Sequence, residues 1–125
     1  MDVNDKKITE IDKVEMTINK QGDQIWWKGN KLHREDGPAI ERANGTKEWH
    51  LNGKLHREDG PAVERANGTK LWYLNGKRHR EDGPAIEWAN GTKEWCLNNM
   101  ALTELEIRQL QRNKQFNQSI EEALK

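Results

Sequence analysis

The sequence predicts a mainly β protein: an antiparallel meander of tandem 23-residue hairpin repeats closed by a C-terminal α-helix. Three observations predict it. Trp26, Trp49, Trp72 and Trp95 recur every 23 residues, and the segments between them are near copies; residues 49–71 match 26–48 at 17 of 23 positions. Asn-Gly, the strongest short hairpin signal because both residues tolerate positive φ, occurs at 44–45, 52–53, 67–68, 75–76 and 90–91. After Leu102 the pattern stops and helix-start chemistry begins.

The elements follow in chain order. The single domain, residues 1–125, divides into an N-terminal extension (1–12), the hairpin repeats (13–99) and a helical cap (102–125). Residues 16–26, MTINKQGDQIW, match the second half of a unit, with Gly22 at the position of Gly45, Gly68 and Gly91. Three whole units follow, and Trp95 to Asn99 begins a fourth that breaks off, as the end units of repeat arrays usually do. Within a unit, Thr46 to Leu51 alternates as a strand, with Lys47, Trp49 and Leu51 on one face and Glu48 and His50 on the other. The stretch Lys54–Ala66 supplies a Glu-Asp-Gly-Pro turn and a return strand, Ala62 to Ala66, with Pro61 at its start. Each unit is therefore expected to form one antiparallel hairpin. Thr103 and Glu106 make a capping box, with Leu102 and Ile107 at the staple positions, so a helix is expected from about Glu104. Arg108, Arg112 and Lys114 are placed toward its C-terminal end, Ser119 with Glu122 suggests a further short turn, and the helix is expected to cover the open end of the sheet.

Composition narrows the function classes. Of 125 residues 33% are hydrophobic and 34% charged, too few apolar groups for a thick core. The 21 basic and 21 acidic side chains cancel, which argues against a broad nucleic-acid footprint. The lone Cys96 can form neither an internal disulfide nor a cysteine-framed zinc site. No stretch approaches a spanning helix and the start is charged, so a soluble cytoplasmic protein is expected.

The 23-residue period and the order Trp72, Asn75, Gly76, Lys77, His79, Gly83 resemble the MORN repeat. That resemblance covers about residues 16–99 and implies an elongated sheet of hairpins acting as a scaffold, in some members at phospholipid membranes. Thr46-Lys47-Glu48 before Trp49, and Arg57-Glu58-Asp59-Gly60-Pro61 after His56, depart from the family's usual glycine pattern. Residues 72–85, WYLNGKRHREDGPA, are similar to units in small tandem-repeat proteins of tailed bacteriophages and large DNA viruses. This second resemblance implies a viral origin, host cytoplasm as the location, and a role in inhibiting or redirecting a bacterial host protein, antiviral defence included.

Candidate functional residues fall into three groups. His33-Arg34-Glu35-Asp36, repeated at 56–59 and 79–82, sets an imidazole beside two carboxylates, but three copies favour a charged hydrogen-bonded turn over a catalytic or metal site. Trp26, Trp49, Trp72 and Trp95 are expected to be structural, a core ladder in which each ring stacks on the next. Positions where near-identical units disagree are the candidates for partner binding: Trp27, His50, Tyr73, Arg78 and Trp88, residue types rich in hot-spot character on the face opposite the ladder. Trp88 has a second reading, as a landing site for the helix.

The expected function is a non-enzymatic, cofactor-free scaffold that binds a protein partner as a monomer or homodimer. Two alternatives stand beside it. Membrane-lipid association is disfavoured by the slight charge of 26–96, with 13 basic against 11 acidic residues. The other is a small anionic ligand, such as a nucleotide signal, in a groove edged by Arg34, Arg57 and Arg80.

Overall fold

The computed structural model describes residues 13–124, so the N-terminal extension at 1–12 lies outside the described residues. Fourteen strands and one helix follow in order: β1 Val14–Ile18, β2 Gln24–Lys28, β3 Lys31–Leu32, β4 Ile40–Glu41, β5 Lys47–Glu48, β6 His50–Leu51, β7 Lys54–Leu55, β8 Val63–Glu64, β9 Lys70–Leu71, β10 Tyr73–Leu74, β11 Lys77–Arg78, β12 Ile86–Glu87, β13 Lys93–Leu97, β14 Met100–Leu102 and α1 Glu104–Ala123. The main sheet runs β1-β2-β4-β5-β8-β9-β12-β13-β14, every pair antiparallel, which is the expected meander.

Each unit builds two hairpins rather than one, because its two glycine-containing connections form different turns. Asn52 (φ 52°) and Gly53 (φ 83°) are both left-handed and join Leu51 directly to Lys54, a two-residue I′-type link. At Asn44-Gly45 only the glycine is left-handed (φ 96°), and Gly45 N–H donates to Arg42 O within a longer loop closed by Arg42 N–H on Thr46 O. The longer loops join the strands of the main sheet; the tight ones form a second row of hairpins beside it. Trp49 sits where the strand passes between rows, its N–H on Ala62 O (2.7 Å) and its carbonyl accepting from His56 N–H (3.0 Å). That hand-over breaks the expected six-residue strand 46–51 into β5 and β6.

Successive units are stitched through side chains at fixed columns. His33, His56 and His79 accept at Nδ1 from the backbone N–H of Asn52, Asn75 and Asn98, at 2.8, 2.9 and 3.0 Å. Asp23, Thr46 and Thr69 accept from the N–H of Ala43, Ala66 and Ala89. The histidine proton must therefore lie on Nε2, which faces a glutamate in each unit. His33→Ala is expected to cost about 1–3 kcal/mol in urea unfolding, since the ring is 3% exposed and the Asn52 N–H would lose its partner.

Acid adds to this. Asp23 is held below the ordinary carboxylate range by Asn19 Nδ2 and then by Ala43 N–H, and Glu48 by its hydrogen bond to His50. A lowered folded pKa contributes stability that is present above the unfolded value and lost as pH falls through the folded one. The melting temperature should accordingly drop as pH is lowered into and below the carboxylate range; a flat profile there would contradict these pairings.

The core is a thin row of small and β-branched residues: Ala39, Ala62 and Ala85 are fully enclosed, with Ile40, Val63, Leu71, Ile86, Cys96 and Ile107 buried around them. The four periodic tryptophans do not form the buried core ladder that was expected. Trp26, Trp49, Trp72 and Trp95 are only half-buried, and the first three rings are covered by the guanidinium of their own unit, Arg34, Arg57 and Arg80, at 3.9, 3.8 and 4.0 Å from the ring centroid. A cation over the π face covers a ring that the core leaves half exposed.

Helix α1 starts as the sequence predicts, with Thr103 Oγ1 accepting from Glu106 N–H and Glu106 returning to Thr103 N–H. It continues unbroken through Ser119, so the expected separate turn is absent, Arg108, Arg112 and Lys114 lie mid-helix, and its last turn carries no basic residue. Among the described residues no helix is long and apolar enough to cross a membrane.

A repeated groove as candidate binding site

The His-Arg-Glu-Asp-Gly-Pro loop is shaped by one arginine. In the middle unit Arg57 Nε donates to Asp59 Oδ1 (3.0 Å), while Nη1 donates to Pro61 O (3.1 Å) and Glu64 Oε2 (3.0 Å), all with the guanidinium flat on Trp49. Arg34 and Arg80 repeat these bonds in their own units. A planar five-donor fork can meet a carboxylate at either end, a carbonyl and an aromatic face together; an ammonium cannot. The charged-turn expectation for 33–36, 56–59 and 79–82 thus acquires its geometry. Among the described residues no three His, Cys, Asp or Glu side chains converge as a metal site.

Because the loops project from the same side of successive units, a cleft opens between each neighbouring pair. One, of about 620 Å³, has Trp72 and Leu74 as its floor, with Arg57 to Gly60 on one wall and His79 to Asp82 on the other. The second, about 590 Å³, repeats it one unit earlier, with Trp49 and Leu51 between Arg34 to Gly37 and His56 to Asp59. The rims are acidic: Asp36, Asp59 and Asp82 expose 87–88% of their side chains, and Glu35 and Glu58 expose 79% and 86%. The arginines in the walls are already committed to ring, carbonyl and carboxylates, so the potential facing solvent is set by the glutamates and aspartates.

Compared with protein-family models, curated proteins and solved structures, the chain matches none, and the groove is interpreted from its own chemistry.

The five residues expected to bind a partner lie on the other face, where His50 is buried and Trp27, Tyr73, Arg78 and Trp88 are half-buried. His50 is 7% exposed, with Nε2 on Glu48 (3.1 Å) and Nδ1 without a partner. Tyr73 and Trp88 pack on the cluster of Val63, Leu71 and Ile86. Trp88 is half-buried and its Nε1 donates to Glu94 (2.5 Å). Trp27 is half-buried, its Nε1 donating to Thr17 Oγ1 (3.0 Å), and Arg78 is half-buried opposite Tyr73. The structure brings Tyr73, Trp88 and Arg78 into one neighbourhood and leaves Trp27 and His50 in others.

Variation between units is therefore internal matching. Glu48, His50 and Arg42 form a polar set in one unit; Leu71 and Tyr73 replace Glu48 and His50 in the next, where Leu55 and Trp88 pack beside them. Sequence reasoning named Glu35, Glu58 and Glu81 but assigned them to a structural turn, and it did not single out Leu51 and Leu74, which lie in β6 and β10 beside them. The available signal was the exposure of a Glu-Asp pair in every loop beside an invariant tryptophan.

Proposed function

We propose that this chain is a non-enzymatic repeat scaffold that binds a protein partner across its row of grooves. The observation that carries the reading is the pair of equivalent clefts, each with a tryptophan and a leucine under an acidic rim, repeated at a fixed interval. An array of identical shallow sites suits an extended macromolecular surface better than a single small ligand. The acidic rim counts against the anionic-ligand reading, since Arg34, Arg57 and Arg80 are each engaged by two carboxylates. It counts equally against attraction to anionic lipid. Kinship with MORN repeats and with viral tandem-repeat proteins, and a host defence protein as partner, belong to this proposal; the meander of antiparallel hairpins is compatible with the first.

The test is affinity capture with the intact chain against the Leu51→Lys/Leu74→Lys variant. Lys28 already occupies the same column in the first unit, so lysine stems fit there. A protein retained by the native chain should be lost by the variant while the circular-dichroism melt is unchanged. Capture that survives both substitutions would remove the grooves from the binding surface.

A further inference from the structure

The C-terminal end of the array shows what chemistry settles against these loops. Where a fourth loop would follow β14, α1 begins instead and closes on the loop of the third unit. Ile107, 3% exposed, lines the cleft that holds Trp95, Asp82 and Gly83, and also lies beside Leu97. Trp95 and Leu97 are the counterparts of the Trp72 and Leu74 floor. Gln111 Nε2 donates to the Glu81 carbonyl, and Lys114 Nζ stands 3.4 Å from Glu81 Oε1. Glu81 is consequently 63% exposed, against 86% for Glu58 and 79% for Glu35, its equivalents. An apolar side chain over the Trp-Leu floor, an amide donor to the loop carbonyl and a cation on the glutamate together seat a helix at the third loop. The first two loops present the same floor, carbonyl and glutamate with no such helix against them.

We infer that the two open grooves bind a basic amphipathic helix of the partner, lying across the loops and presenting a Gln-x-x-Lys pair to each. This rests on the reading of the groove row as the binding surface and specifies its occupant. Spacing supports it as charge does. Equivalent loops are separated by two strands of the main sheet, about 10 Å. Seven residues of α-helix advance about 10.5 Å and return to nearly the same face. Cations at seven-residue intervals therefore meet Glu35 and Glu58 in turn, whereas a nine-residue interval turns alternate cations away.

Two synthetic helical peptides of one composition test this with the full chain by fluorescence anisotropy: one carries Gln-x-x-Lys every seven residues, the other every nine. The seven-residue peptide is expected to bind at least tenfold more tightly, to weaken with added salt, and to lose at least tenfold in affinity to E35K/E58K. Both substituted side chains are exposed, so the melt of that variant should match the native one. Equal affinity for the two spacings, no binding by either, or indifference to E35K/E58K overturns the inference. Binding of anionic vesicles in place of the peptide overturns it as well. Capture lost on Leu51→Lys/Leu74→Lys, with both peptides inert, would leave the groove reading standing and remove only the basic helix.

Discussion

Ile86→Ala should be among the most destabilising single substitutions, lowering the unfolding free energy by about 2–5 kcal/mol as large-to-small core changes do. Ile86 is 2% exposed and lies in the cluster of Val63 and Leu71, with Leu55, Tyr73 and Trp88 packed around it. Leu55 and Tyr73 reach it from β7 and β10, in the hairpins beside the main sheet, so the cavity would open between two rows of strands. Ile40→Ala is the informative comparison. It removes the same atoms two units earlier in the same column, where Ile25 and Glu48 stand in the places of Leu71 and Glu94, but Ile40 lies outside the Val63, Leu71 and Ile86 cluster, so the change should cost less. Urea denaturation with an unchanged m-value measures both, and a loss under about 1 kcal/mol at Ile86 would show that the cluster is not the core.

Removing the arginine clamp should rank close behind. Arg57→Ala gives up the stack on Trp49 and hydrogen bonds to Asp59, Pro61 O and Glu64, an expected cost of about 2 kcal/mol after Glu64 rehydrates. Arg57→Lys should recover little of it, because the ammonium cannot hold the ring face and three acceptors at once. Gly60 provides an independent check. A Cβ there would stand 2.9 Å from Arg57 Cζ and 3.1 Å from its Nε, so Gly60→Ala must displace the guanidinium from its present seat. In the Arg57→Ala background Gly60→Ala should be nearly silent. A double-mutant cycle showing simple additivity would separate the glycine from the clamp. The same substitutions should impair partner binding only as far as they disorder the loop.

Much of the fold was legible because it depends on local chemistry. The Thr103/Glu106 capping box needs only four residues, and it forms as expected. Asn-Gly marked five of the hairpin connections, yet it did not reveal that Asn52-Gly53 and Asn44-Gly45 make different turns, because loop length depends on how the flanking strands pair. Ser119 was read as a break, but nothing near it outweighs helix propagation. The candidate site was less legible. Trp49 was expected inside and is half outside; His50 was expected outside and is enclosed. Alternation had correctly put them on opposite faces, but it carries no information about which face curves inward.

The sequence by itself determined the repeat, its period, the antiparallel hairpins, the helix start and the loop that recurs beside each tryptophan, since each follows from residues close in the chain. Tertiary structure alone decided which face became interior, which ring met which cation, and that α1 closes on Glu81. Those outcomes depend on how units bend and stack, and near-identical units acquire different surroundings only once a neighbour, or the lack of one, is in place.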